Sequence, residues 1–420
     1  MARGKRINLN ASHTPNRVDA QEPEMRAGVK QAGARLRSWI RPPSLHCSSF
    51  RAAIFFFILE PPEPQADGSH HKGDHLHATS KSIVVAALLL GGAAGDAKPA
   101  VGPPPAADMQ VVLDKLMALG AKPLETLTPE QARSGPSAAD AAKAVAATQA
   151  GKAPSGPAIS ARDVTYPGAA GPLPARIYAP AGTVNARPLI VYVHGGGWVI
   201  ADIDTYDGGA RGIARETGAV VVSCEYRRAP ENKFPAAHED AVACYKWATA
   251  NAASWGAGGK VAIAGESAGG NLAIDTSIAA RDQKLKAPSA LLLVYPIAGS
   301  DMNTPSYRDS ANAAPLSKAG MMWFVKHVFA KPADARDPRI DVYKRARLQG
   351  LPPTIIVNAA ADPLRSDGEL LAGALTRAGV DTTRKVYPGT THEFFGMDAV
   401  VANAKAAQVF AGSELKKHLR

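Results

Sequence analysis

The sequence predicts an α/β protein whose central sheet is mostly parallel and covered by helices on both faces. Two observations carry this expectation. From residue 160 onward, short apolar runs alternate with helical segments. Several of those runs are apolar along their whole length, as strands buried on both faces are. The chain has 420 residues, 46% of them hydrophobic and 20% charged. That is enough for one large domain or two medium ones, and it excludes a mainly disordered, collagen-like or multi-span membrane protein.

Arg162–Tyr166 and Pro174–Tyr178 flank a Gly/Pro turn and read as a hairpin. Leu189–Val193, Ala219–Glu225, Lys260–Ala264, Ala290–Tyr295, Thr354–Asn358 and Thr382–Tyr387 read as strands. Ala236–Ala250, Ala268–Arg281, Ser366–Ala378 and Val400–Leu419 read as helices. Before the hairpin, Asp108–Leu119 and Ala138–Gln149 are helical in pattern. Thr128-Pro129-Glu130 looks like an N-cap followed by proline at the first helical position. Ligands of such sheets sit at the carboxyl ends of the strands, so the loops that follow the strands are where chemistry is expected.

Residues 1–105 read differently, as a disordered or mis-annotated N-terminal extension. They show no sustained periodicity, and a patch with His70, His71, His75 and His77 has no folded frame around it. Within them, residues 81–97 join Lys81 to the apolar run Ile83–Leu90 and then to small residues. This is the pattern of a secretory signal, displaced from the N-terminus. A true start near residue 80 would explain it, although no methionine lies between Met25 and Met109. A flexible alanine-rich tail is the alternative. The signal pattern tilts the expected location toward export, periplasmic or secreted, over the cytoplasm. No membrane span is expected in the domain that follows, residues 106–420.

The net charge is +11. Residues 1–105 carry 13 Lys+Arg against 8 Asp+Glu, or +5, and the other 315 residues carry the remaining +6, scattered among acids. No basic stripe with interleaved aromatics appears, so nucleic acid is not an expected partner. The three cysteines, Cys47, Cys224 and Cys244, form neither a disulfide framework nor a zinc-site spacing. Cys224 and Cys244 read as apolar fillers on a strand and a helix.

Three strand ends carry the chemistry. Lys260–Ala264 runs into Gly265-Glu266-Ser267-Ala268-Gly269-Gly270 and then a helix, which is Gly-x-Ser-x-Gly in a strand–turn–helix context. The tight turn lifts the Ser267 hydroxyl above the sheet at a helix N-terminus. Leu189–Val193 ends in His194-Gly195-Gly196-Gly197-Trp198, where side-chain-free backbone can point N–H groups at a bound oxygen. Acyl transfer needs such donors for its oxyanion, and Gly195, Gly196 and Ala268 are the candidates.

A serine nucleophile needs a base. Five histidines lie beyond the N-terminal segment: His194, His238, His327, His392 and His418. His238, His327 and His418 fall on helices. His194 reads as a residue that holds the oxyanion loop by hydrogen bonds, with the role of base as its alternative. His392 follows the strand Thr382–Tyr387 on a loop, and Asp362 follows Thr354–Asn358 in the same way. Asp367, inside the next helix, is the competing acid. The order Ser267, Asp362, His392 is the chain order of the triad in the α/β-hydrolase fold.

Together, His194-Gly195-Gly196-Gly197-Trp198, Tyr226-Arg227-Arg228-Ala229-Pro230-Glu231, Gly265 to Leu272, Asp362-Pro363-Leu364-Arg365 and His392-Glu393-Phe394 resemble the bacterial hormone-sensitive-lipase-like esterases. The resemblance covers about residues 108–420. It implies a serine esterase acting through an acyl-enzyme on short-chain carboxylic esters, with Gly197, His194 and Glu266 supporting the site. It implies a helical cap from about 108–160 and an insertion at about 300–345. No metal or organic cofactor is expected, the expected partner is a small-molecule ester, and a homodimer is left open. Ala201 stands where such esterases often have glycine, and Arg228 where they usually have leucine. The alternatives are a lipase acting on longer acyl chains, a ligand-binding relative without catalysis, and a peptidase or carbon–carbon hydrolase on the same fold.

Overall fold

The computed structural model describes residues 102–149, 157–182 and 186–420. The histidine patch and the signal-like segment at 81–97 lie outside the described residues. The strands are β1 (Ile159–Gly168), β2 (Gly171–Pro180), β3 (Leu189–Val193), β4 (Val220–Cys224), β5 (Val261–Glu266), β6 (Ala290–Val294), β7 (Thr354–Ala361) and β8 (Thr382–Thr391). They form one sheet in the order β1-β2-β4-β3-β5-β6-β7-β8. β1 and β2 form an antiparallel hairpin, and β2 joins β4 antiparallel. All the other pairings are parallel.

The helices are α1 (Ala107–Ala118), α2 (Pro129–Ser134), α3 (Ala138–Thr148), α4 (Asp207–Thr217), α5 (Ala236–Asn251), α6 (Ala268–Asp282), α7 (Pro305–Asp309), α8 (Lys318–Val328), α9 (Val342–Arg345), α10 (Arg365–Arg377) and α11 (Ala402–Leu419). The central strands distribute their side chains between two cores with the period of two that a pleated strand imposes. Ile190, Tyr192, Leu292 and Val294 pack with Ile213 of α4 and Ala407 and Ala411 of α11. Leu189, Val191, Leu291 and Leu293 pack with Tyr245 of α5, Ile274 of α6 and Leu371 of α10. Full burial of one such leucine or isoleucine is worth about 1.5–3 kcal/mol, which is why these strands carry almost no polar residue.

Helix α4 went unread in the sequence because Gly208, Gly209 and Gly212 dilute its pattern. Their role is close approach. A Cβ on Gly208 would strike the Gly396 carbonyl, one on Gly209 the Glu266 carboxylate, and one on Gly212 the Gln408 side chain. The cap to α2 is as expected: Thr128 accepts from the Gln131 N–H and Gln131 reaches back to the Thr128 N–H. Ser137 and Asp140 repeat the device at α3.

The reading of the cysteines needs correction. Cys224, the last residue of β4, and Cys244, in the middle of α5, are joined by a disulfide with Cα atoms 6.4 Å apart. Nothing in their sequence spacing signals this. The pairing arises because α5 crosses the end of β4, which places two residues 20 apart side by side. Closing a loop of this length is worth about 3 kcal/mol on the chain-entropy account.

Helices α1 to α3 and the segment from α7 to α9 flank the carboxyl ends of the strands. Ile159 already belongs to β1, so the first of these segments ends earlier than residue 160. Arg133 of α2 pins it down: its guanidinium donates to the carbonyls of Val199 (2.8 Å) and Ala229 (2.7 Å) and pairs with Glu231 (2.8 Å). The Trp323 indole of α8 donates to the Leu127 carbonyl at 2.9 Å, linking the two segments. Among the described residues, no helix is long and apolar enough to cross a membrane.

Candidate active site

Three strands deliver three side chains directly. β5 ends at Glu266 and Ser267 follows, β7 ends at Ala361 and Asp362 follows, and β8 ends at Thr391 and His392 follows. The sequence reading ended β7 and β8 several residues early. Alanines and a Pro-Gly pair hide the strand continuation, and the register shift between Ala359 and Ala361 bends it.

Ser267 sits at φ +57° and ψ −119°, the strained conformation of a sharp turn. Its N–H is held by the Val294 carbonyl at 2.9 Å, and its carbonyl accepts from Ile297 at 3.2 Å. The turn leaves no room for side chains: a Cβ on Gly265 would strike the Gly269 carbonyl, and one on Gly269 the carbonyls of Val193 and His194. The Ser267 hydroxyl donates to His392 Nε2 at 2.9 Å, and His392 Nδ1–H donates to Asp362 Oδ2 at 2.8 Å. The other Asp362 oxygen accepts from the Leu364 N–H at 2.8 Å. All three residues are buried. Burial would push the His392 pKa down, but the Asp362 carboxylate, helped by Glu393 and Glu266, more than offsets it and holds the imidazole above its ordinary value.

Asp367, the competing acid, is placed elsewhere. Its Oδ2 accepts from the N–H groups of Ala298 (2.9 Å) and Gly299 (3.0 Å), so it anchors the loop after β6. Burial raises its pKa to about 7. His238 is bonded to Asn271 at 2.9 Å. His194 is committed to the glycine loop: Nδ1 donates to the Gly195 carbonyl at 2.9 Å, and the ring stacks on Tyr226 at 4.3 Å. Its Nε2 lies 3.3 Å from a Glu225 oxygen. The Tyr226 hydroxyl donates to the same Gly195 carbonyl at 2.8 Å. Of these histidines, His392 is the one hydrogen-bonded to Ser267.

The loop after β3 takes left-handed conformations at Gly196 (φ +94°) and Gly197 (φ +56°), which glycine alone adopts without cost. Gly196 and Gly197 line a cleft of about 580 Å³ together with Ser267 and His392. Ala268, at the N-terminus of α6, is the residue after the nucleophile, and its N–H has no partner within the helix. Ala201 also sits at positive φ, +64°. A glycine there would relieve a strain of about 1–2 kcal/mol. Arg228 lines the cleft and donates to the Ala201 carbonyl at 2.6 Å. The remaining walls come from both flanking segments, with Leu116, Leu124 and Leu127 from the first and Leu316, Met321 and Phe324 from the second.

A tyrosine–carboxylate cluster beneath the triad was not foreseen. The buried Glu266 carboxylate accepts from the hydroxyls of Tyr192, at the inner face of β3, and Tyr295, just after β6. The Tyr206 hydroxyl donates to Glu393 at 3.3 Å. Tyrosines inside an apolar strand read as core, and only pairing across strands reveals the cluster. Burial lifts Glu266 to about 7 despite the two tyrosines, and it raises Glu393 as well. Among the described residues, no group of histidines, cysteines and acids is arranged to hold a metal.

Comparisons with known proteins give the family. A protein-family profile described as the α/β-hydrolase fold matches residues 190–396. The carboxylic ester hydrolase LipN of Mycobacterium tuberculosis is 37% identical over 268 residues, covering 62% of this chain and 71% of that protein. The carboxylesterase NlhH of the same species is 36% identical over 62% of this chain and 83% of its own length. A hyperthermophilic esterase from Pyrobaculum calidifontis superimposes with a TM-score of 0.67 at 33% identity, covering 75% of this chain and 98% of that one. With its sheet, its strand-end serine, acid and histidine, and these relatives, the chain belongs to the α/β-hydrolase family of carboxylic ester hydrolases related to hormone-sensitive lipase.

Proposed function

We propose that this protein is a serine esterase that hydrolyses short-chain carboxylic esters. The observation that carries the reading is the unbroken relay from Ser267 through His392 to Asp362, at 2.9 and 2.8 Å, on the wall of a cleft large enough for a small ester. His392 takes the Ser267 proton as Oγ attacks the ester carbonyl. Asp362 holds the Nδ1–H tautomer and stabilises the imidazolium. The N–H groups of Gly195, Gly196 and Ala268 receive the oxyanion. His392 then protonates the leaving alcohol, and water repeats the cycle on the acyl-enzyme. The segments around α1–α3 and α7–α9 act as the cap that shapes the acyl side of the cleft.

The cleft volume of about 580 Å³ and the alanine-rich, charged first cap segment favour acyl chains of roughly two to eight carbons. On nitrophenyl esters of graded length, kcat/KM is expected to peak within that range and to fall for sixteen carbons. Better turnover of the long ester, with a rate jump at the emulsion surface, would make the protein a lipase instead.

The protein is also proposed to be exported. The signal-like run at 81–97 and the Cys224–Cys244 disulfide support this together, because such bonds persist in oxidising compartments. Expressed with its full N-terminal segment, active enzyme is expected outside the cytoplasm, with two of its cysteines refusing thiol reagents in denaturant. Activity confined to the cytoplasmic fraction, with all cysteines reactive, would reverse the assignment.

A further inference from the structure

We propose that Glu266 is a positioning residue for the catalytic base, acting through Tyr295. The Tyr295 ring lies against the His392 imidazole, with centroids 4.5 Å apart and planes at 50°. Tyr295 itself is held at φ +36°, a conformation that side chains disfavour. Its N–H bonds the Val357 carbonyl at 2.6 Å, and its hydroxyl ends on Glu266. Tyr192 fixes the same carboxylate from the neighbouring strand. Gly209 lets α4 close over the arrangement, since a Cβ there would strike both Glu266 and the Tyr192 hydroxyl. The imidazole therefore lies against a ring whose far end is tethered to the residue before the nucleophile. Serine and base are thus referenced to one buried anchor.

The carboxylate has no other evident purpose. It is buried, and its hydrogen bonds come from two tyrosines with no lysine or arginine ion pair among the described residues. Burying a carboxyl in this way is costly, so a neutral or apolar side chain would serve packing better. Its surroundings are Tyr192 of β3, Tyr206 ahead of α4, Tyr295 after β6, and His392 and Glu393 after β8. Behind it, a cavity of about 310 Å³ brings Asp207, Arg211, Arg215 and Asp398 toward the same group, each arginine already paired with one of these acids. His392 in turn faces Asp362, Glu393 and Glu266. Negative charge at Glu266 favours the imidazolium, so its loss moves the base to lower pKa.

The proposal rests on the esterase reading, which wild-type turnover of nitrophenyl acetate tests separately. The variants Glu266→Gln, Tyr295→Phe and their combination decide the rest. Glu266→Gln is expected to lower kcat by about 10- to 100-fold with KM within about threefold, because substrate contacts are untouched. Its acid limb in kcat/KM should move to lower pH, by at most about half a unit, because burial already leaves Glu266 partly protonated near neutral pH. Tyr295→Phe, which keeps the carboxylate, should lose kcat comparably with a smaller limb shift. The double variant should be no worse than the worse single one within about threefold, because both changes cut the same tether. A wild-type kcat and an unmoved limb in Glu266→Gln would overturn the proposal, as would losses that multiply in the double variant. If Glu266→Gln does not fold, Tyr295→Phe decides alone: wild-type kcat in that variant rejects the tether.

Discussion

Ser267→Ala is expected to reduce kcat for ester hydrolysis by about a millionfold, the loss seen when a triad serine is removed and no other nucleophile stands in. The acyl-enzyme can form only on Ser267, because the hydroxyl at the turn is the one that donates to His392 Nε2. What survives should be the stabilisation offered by the glycine loop and the binding cleft, about 10³- to 10⁴-fold over water. The fold should be unaffected. The elbow is held by backbone bonds to Val294 and from Ile297 that alanine keeps, and the positive φ costs alanine no more than serine. His392→Ala should be as severe as Ser267→Ala, and the pair together no worse, since the residues act as a unit. Burst titration with a nitrophenyl ester checks this directly. A stoichiometric burst in Ser267→Ala, from preparations free of other esterases, would move the nucleophile elsewhere.

The sheet was legible because its central strands are buried on both faces. A run such as Leu189–Val193, short, apolar throughout and rich in β-branched residues, fits a strand buried on both faces. The serine turn and the histidine that the structure joins to it were legible for a related reason: glycines that only a tight turn requires surround Ser267, and histidines beyond residue 105 are few. What escaped the sequence depends on contacts between distant segments. The Cys224–Cys244 bond joins a strand end to a helix centre. Helix α4 is written in glycines, whose value appears only against Gly396, Glu266 and Gln408. Tyr192 and Tyr295 are core residues by composition, and they become functional candidates only when Glu266 is found between them. The boundaries of β7 and β8 were short by three and four residues, and those residues are the ones that carry the chain to Asp362 and His392.

The second large effect is expected at the acid, and the geometry gives its cause. Asp362 spends Oδ1 on the Leu364 N–H and Oδ2 on His392 Nδ1–H. In Asp362→Asn one of these acceptors becomes an NH₂ group. The Leu364 N–H is fixed by the backbone and still demands an oxygen, so the amide nitrogen turns toward His392. The imidazole must then present the Nδ1 lone pair, which places its proton on Nε2, facing Ser267. A base in that tautomer cannot take the serine proton, and kcat should fall about 10⁴-fold while KM and folding stay close to wild type. Asp367→Asn is the informative contrast. It weakens the hydrogen bonds to Ala298 and Gly299 and leaves the His392 tautomer alone, so kcat should stay within about tenfold of wild type although thermal stability drops. The two variants assayed side by side at pH 8 separate the roles. An Asp362→Asn enzyme that keeps more than a hundredth of wild-type kcat, beside an inactive but folded Asp367→Asn, would transfer the acid to the helix.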